Sequence, residues 1–262
     1  MSDRTRRFAF GFLYSSRSRS DMEPRPQGPP GTPRPPGRGP GWGLFLVFLV
    51  LEVVHFVLVL RAPEEKTLGL SQKAFYYHLP AAITCFLSYF FALCTAGLYL
   101  ATRRSKFDHG AAACVEIGLL FNALTLATGS IWARNDWGVW WAWYDMRLVT
   151  TLIMAFLYLG YVWLRRALPP GERRALVSSV YAIVAFANVP LVYWSLQLFG
   201  EANHPPKIGL PEPGMRYALW AGFAAFFVLW PWLAKKRTHL MTLAERVDWL
   251  RSRRASEEPA FR

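Results

Sequence analysis

Six long apolar runs constrain what this chain can become more than any other feature. They lie at about residues 42–60, 80–101, 111–132, 148–164, 175–199 and 217–234 of a 262-residue chain. Roughly 20 consecutive apolar residues are enough to cross the hydrocarbon core of a bilayer. Inside lipid the backbone must satisfy its own hydrogen bonds, which a helix does within one segment. The expectation is therefore an all-α integral membrane protein, a bundle of six transmembrane helices. The sixth run is shorter than the rest, and Pro231 is expected to kink its end.

Charge then orients the bundle. The formal net charge is +13, yet no compact basic domain exists to hold a nucleic acid. The cations instead sit between the apolar runs. Arg103, Arg104 and Lys106 follow the second run, Arg165, Arg166, Arg173 and Arg174 the fourth, and Lys235, Lys236 and Arg237 the sixth. An arginine-bearing arm precedes the first. If all six runs cross, these regions share one side, and the positive-inside rule makes that side cytoplasmic, with both termini on it. Residues 1–41, rich in Pro, Gly and Arg, are expected to be a disordered cytoplasmic arm. Residues 42–240 form the membrane domain, and 241–262 a charged cytoplasmic tail. Cys85, Cys94 and Cys114 all fall inside apolar runs without metal-binding or disulfide spacing, and read as small core residues.

Three outward loops follow, at residues 61–79, 133–147 and 200–216. The first carries His78 in "FYYHLPAA" and the third His204 in "GEANHPPKIG". The second carries the tryptophan-rich motif "DWGVWWAWYDMRL", with Trp137, Trp140, Trp141, Trp143, Asp145 and Arg147. His109 and His239 fall on the opposite side. Imidazoles are axial ligands for haem iron, and two can approach from opposite faces of the ring. Tryptophans offer broad, rigid apolar surface, and an arginine can pair with a propionate. This conjunction suits haem held at the membrane–water boundary. The competing reading is an aromatic belt, since Trp and Tyr gather at bilayer interfaces generally.

The motif "WGVWWAWYDMRL" resembles the tryptophan-rich motif of the haem-handling membrane proteins of cytochrome c maturation, the CcmC/CcmF/CcsA superfamily, and within it the haem exporter protein C (CcmC) family. "FYYHLPAA", "EIGLLFNALTLATGSIWARNDWGVWW", "RLVTTLIMAFLYLGYVWLRR" and "ANVPLVYWSLQLFGEANHPP" carry the resemblance in order across roughly residues 42–235. It implies a protein of the bacterial inner membrane that binds haem b at the periplasmic face and passes it to a periplasmic, CcmE-like haem chaperone. It also implies ATP-binding cassette subunits (CcmA/CcmB-like) and a small membrane subunit (CcmD-like) as partners. On matching positions His78 and His204 would be the axial ligands of the iron, and Trp137, Trp140, Trp141 and Trp143 the haem platform. Asp145 and Arg147 match the acidic and basic positions. The chain departs from the family in Tyr144, which stands between Trp143 and Asp145 like a one-residue insertion. On a helix that would turn Asp145 by about 100°. It departs again before His204, where "LFGEAN" replaces a tryptophan-rich ending.

Other polar groups lie within or beside the apolar runs. Glu52 and His55, at i and i+3, share a helical face and read as an internal hydrogen-bonded pair. Glu116 lies near the cytoplasmic end, where a structural contact, a contact with a partner and a part in haem passage all stand open. Asp108 is expected to cap the third helix. With no nucleophile–base pair or catalytic metal constellation in the sequence, the chain reads as a binding and transfer protein and not as an enzyme. Two other haem readings stand beside it: a transporter moving haem across the bilayer, and a synthetase-type subunit attaching haem to apocytochrome.

Overall fold

The apolar runs become helices whose ends are set by local chemistry more than by hydropathy. The computed structural model describes residues 39–65, 68–200 and 209–257. Within these, α1 (Gly43–Arg61), α2 (Gln72–Thr102), α3 (Ser105–Trp137), α4 (Met146–Ala167), α5 (Glu172–Phe186), α6 (Asn188–Phe199) and α7 (Pro213–Glu257) follow one another, with no strand among the described residues. Six stretches are long and apolar enough to cross a membrane, α5 and α6 together counting as one. The expected six-span, all-helical bundle is therefore observed. Residues 1–38 of the N-terminal arm lie outside the described residues.

The helix boundaries depart from the hydropathy reading most clearly at three places. Helix α2 begins at Gln72, so His78 sits inside its second turn and not in a loop. The turn ahead of it is tied by the Glu65 carboxylate, which accepts from the Leu68 amide at 2.8 Å. Helix α7 runs through Pro231 and continues far past the basic cluster at Lys235, to Glu257. The fifth run breaks at Ala187 between α5 and α6. Pro190, three residues on, has no N–H for the carbonyl of Phe186, which it also crowds. Asn188 compensates by donating its side-chain amide to the Thr150 carbonyl at 3.0 Å, tying the break to α4.

Helices α2 and α3 form the centre, joined by Arg103 and Arg104 alone, with Arg103 left-handed (φ 56°). Ala81, Cys85, Tyr89, Ala92 and Ala96 on α2 face Ala111, Cys114, Val115, Ile117 and Phe121 on α3. Small residues dominate because lipid offers no hydrophobic drive between helices, and close van der Waals approach must replace it. Gly118 shows the need: a side chain there would collide with the Tyr89 ring. Tyr89 in turn stacks face to face on Tyr158 of α4, with ring centres 3.6 Å apart. Ser88 joins three helices, donating to the Cys114 carbonyl (2.8 Å) and accepting from the Trp230 indole (2.9 Å).

Helix α1 is peripheral and lies chiefly against α7. Its start is held by aromatic contact: Phe45 stacks on Trp232 at 4.6 Å, and the Lys236 ammonium sits 4.8 Å over the Trp42 ring. Deeper in, the expected Glu52–His55 pair is present, with Glu52 Oε2 3.5 Å from Nδ1 of the fully buried His55.

Asp108 does not cap α3. That helix starts at Ser105 with Arg104 in the capping position, which leaves Asp108 inside the first turn. Its carboxylate receives a two-pronged contact from Arg165 of α4, both bonds 2.6 Å. Glu116 likewise takes a two-pronged contact from Arg237 of α7, so it serves a structural contact. His109 stands 3.5 Å from Glu245 of α7. These bonds gather the start of α3, the end of α4 and the middle of α7 at the end of the bundle that carries the basic clusters.

Candidate functional site

At the other end, α3 finishes and α4 begins around a short aromatic loop. Trp137 is the last residue of α3, and Gly138 closes the helix in the left-handed conformation (φ 74°), which glycine adopts without a steric penalty. The Arg134 guanidinium folds back onto the Gly138 carbonyl. Helix α4 then starts from Asp145. This residue is fully buried, and its carboxylate accepts from the amides of Arg147 (3.0 Å) and Leu148 (3.3 Å). The extra Tyr144 therefore falls in the loop, where no helical rotation of Asp145 arises. The acidic position of the motif acts as a helix cap.

Beside this loop lies a cavity of about 400 Å³, set between α2, α3, α4, α6 and the start of α7. It falls in the range of small-molecule sites, ~300–1,000 Å³. Its mouth includes Trp137, Trp141, Arg147 and Tyr193, and His78 stands in its wall. Apolar side chains such as Ile83, Phe86 and Leu126 line the interior. The floor lies at Cys85 and Asn122, where the Asn122 amide reaches Tyr89 Oη at 3.4 Å, just above the Tyr89–Tyr158 stack.

The sequence-predicted residues divide into groups. His78, Trp137, Trp141 and Arg147 line one cavity. Trp140 and Trp143, 62% and 70% exposed, stand outside it, and Trp143 meets Trp141 edge-on at 5.7 Å. Asp145 is under the loop. His204 lies outside the described residues.

The chemistry of the lining fits a large, flat, mostly apolar cargo with a polar edge. His78 Nδ1 is 3.0 Å from the Thr128 hydroxyl of α3, and its ring meets Trp132 edge-on at 6.0 Å. Arg147 donates to the Tyr193 carbonyl at 3.4 Å, bringing a cation to the rim. Three buried polar atoms of the lining, Trp132 Nε1, Trp141 Nε1 and Asn122 Oδ1, have no hydrogen-bond partner among the described residues. Buried polar groups are rarely left so, and such atoms are where a ligand is expected to complete the bonding. Sequence reasoning passed over Thr128 and Trp132. They sit at i and i+4 in "TGSIW", a spacing that puts both on one face of α3.

Residues 38–257 match the family described as Heme exporter protein C. Relatives bearing that name include the Escherichia coli protein, 27% identical over 196 residues, covering 72% of this chain and 78% of that one. The Paracoccus denitrificans protein of the same name is 29% identical over 182 residues, 67% and 75% of the two chains. A Marchantia polymorpha protein, whose name provisionally assigns it to cytochrome c biosynthesis as a ccmC-like mitochondrial chain, is 31% identical over 172 residues, 64% and 72% of the two.

Proposed function

The chain belongs to the haem exporter protein C family, and from that premise we propose that it takes up haem b as cargo in the cavity at the aromatic end of the bundle and hands it to a haem chaperone. Its role is haem handling in cytochrome c maturation. The observation that carries the reading is the convergence of His78, Trp137, Trp141 and Arg147 on one apolar cavity from three helices and a loop.

In this reading His78 binds the iron. His204 is the second axial ligand; in the sequence it falls between Tyr193 and Leu210, both of which line the cavity. Trp137 and Trp141 give flat apolar contact, and burial of the porphyrin against them and the apolar lining supplies most of the affinity. Arg147 pairs with a propionate. Trp140 and Trp143, exposed next to the mouth, complete the platform from outside. Asp145 acts on the haem only through the start of α4, by fixing the turn that bears Arg147.

Orientation follows from charge. The ion-paired end carries the basic clusters and faces the cytoplasm, with both termini there, so the cavity faces the periplasm across a bacterial inner membrane. The receiving partner is a CcmE-like periplasmic chaperone, with CcmA/CcmB-like transporter subunits and a CcmD-like small subunit in the same assembly. The chain acts by binding and transfer and not as an enzyme. Passage of haem through the bundle is disfavoured by the tyrosine stack beneath the cavity floor.

The test is direct transfer. Purified protein loaded with ferric haem b is mixed with the haem-free soluble domain of a CcmE-like chaperone, and the two are separated by affinity tag. Haem is expected to move to the chaperone. Haem that stays wholly on the membrane protein, while the chaperone binds free haem normally, would contradict the reading.

A further inference from the structure

We propose that Thr128, seated next to Gly129, is a positioning residue that selects the tautomer of His78 and aims its Nε2 lone pair at the iron. The inference rests on the reading of His78 as an axial ligand.

The argument begins with one hydrogen atom. The Thr128 hydroxyl has a single proton to give. Its oxygen lies 2.7 Å from the Leu124 carbonyl and 3.2 Å from the Thr125 carbonyl, both on its own helix. A carbonyl can only accept, so the proton is committed to the α3 backbone. Towards His78 Nδ1, 3.0 Å away, the same oxygen can then only accept. The imidazole must carry its proton on Nδ1, which leaves the lone pair on Nε2. That is the form a metal needs, with the distal nitrogen basic and the other anchored by a hydrogen bond.

Space confirms the seat. A Cβ at position 129 would lie 3.1 Å from His78 Cε1 and 3.5 Å from Nδ1, so glycine at 129 admits the ring at this depth. Trp132, one turn further along α3, meets the ring at 75° and limits how far it can swing. One turn of α3 thus supplies a hydrogen bond, a gap and a wall to a side chain of α2.

The acceptor is also neutral. A carboxylate in that place would pull the Nδ1 proton strongly and make Nε2 a stronger donor to iron. A hydroxyl polarises it less, which suits a site that has to give its haem away.

The experiment compares wild type, Thr128→Val, Thr128→Ser, Gly129→Ala and His78→Ala, each titrated with haem b in detergent. Absorption spectra, haem affinity and the midpoint potential of the bound iron are read. Thr128→Val keeps the shape and loses the acceptor, and is expected to bind haem ~10–100-fold more weakly, the cost usual for removing a ligand's outer partner. Its midpoint potential should rise, because a weaker donor stabilises ferric iron less. Thr128→Ser should return to wild-type values, which a merely space-filling role would not require. Gly129→Ala should weaken binding by displacing the ring. Should Thr128→Val fail to fold, Thr128→Ala takes its place with the same expectations. If His78→Ala loses haem while Thr128→Val matches wild type in affinity and potential, this inference falls and the ligand assignment stands. If His78→Ala keeps the wild-type spectrum, the ligand assignment falls and takes the inference with it.

Discussion

Where α3 begins, Asp108 grips Arg165 at 2.6 Å through both oxygens, Glu116 meets Arg237, and His109 faces Glu245. Where α3 ends, the bundle parts around a cavity whose polar contacts are hydrogen bonds: His78 to Thr128, Arg147 to Tyr193, Asp145 to the amides of α4. One end ties three helices by charge, and the other leaves a mouth among aromatics. The difference suits a protein that loads and unloads cargo at one face. The ion pairs join α3, α4 and α7 at the end away from the cavity.

Substitutions at the two ends should therefore separate stability from haem binding. The largest expected effect is at the ion-paired end. Asp108→Ala leaves Arg165 uncompensated in a site where the two side chains are only 7% and 13% exposed. It should cost about 3–5 kcal/mol, read as a fall in the thermal unfolding midpoint in detergent, with haem affinity per folded molecule unchanged. A parallel loss of haem affinity would mean that the two ends are coupled. Glu116→Ala breaks a pair that is 31% and 42% exposed; solvent screening reduces its effect to about 1 kcal/mol.

At the open end the larger expected effect is on haem binding. Trp141→Ala should weaken haem binding by about tenfold, the upper range of a stacked aromatic contact, with little change in unfolding. Asp145→Ala removes the cap of α4 and should cost about 1 kcal/mol of stability, while Asp145→Ser, which still caps, should cost less. Trp143→Ala is expected to be the mildest, within about 0.5 kcal/mol in unfolding. Its effect on haem affinity should be smaller than that of Trp141→Ala. Equal losses for the two tryptophans would mean that the haem sits outside the cavity.

The sequence displayed the spans because lipid demands long apolar runs, and all six were legible. Their ends were less so. Helix α2 starts at Gln72 because "QKAFYYH" is helical beyond the apolar stretch that hydropathy detects. Helix α7 likewise continues through charged residues that mark the membrane boundary but do not stop a helix. The break at Ala187 was written in Pro190, whose effect depends on which carbonyl it crowds.

Among the residues that line the cavity, His78, Trp137, Trp141 and Arg147 were legible because their residue types carry chemistry. Asp108 was misread as a cap because its partner, Arg165, is 57 positions away. Thr128 stayed hidden for the same reason: it is 50 positions from His78, and a threonine in an apolar helix has no distinguishing pattern. The buried role of Asp145 emerged only once α4 was seen to begin one residue later, at Met146.

The most direct test of the central claim is an absorption titration of the purified protein with haem b, oxidised and reduced, with His78→Ala and His204→Ala beside the wild type. The account predicts a six-coordinate haem spectrum in the wild type that is lost or altered in both variants. A wild type that gives no such spectrum when supplied with haem, or two variants that both match it, would contradict the site proposed here.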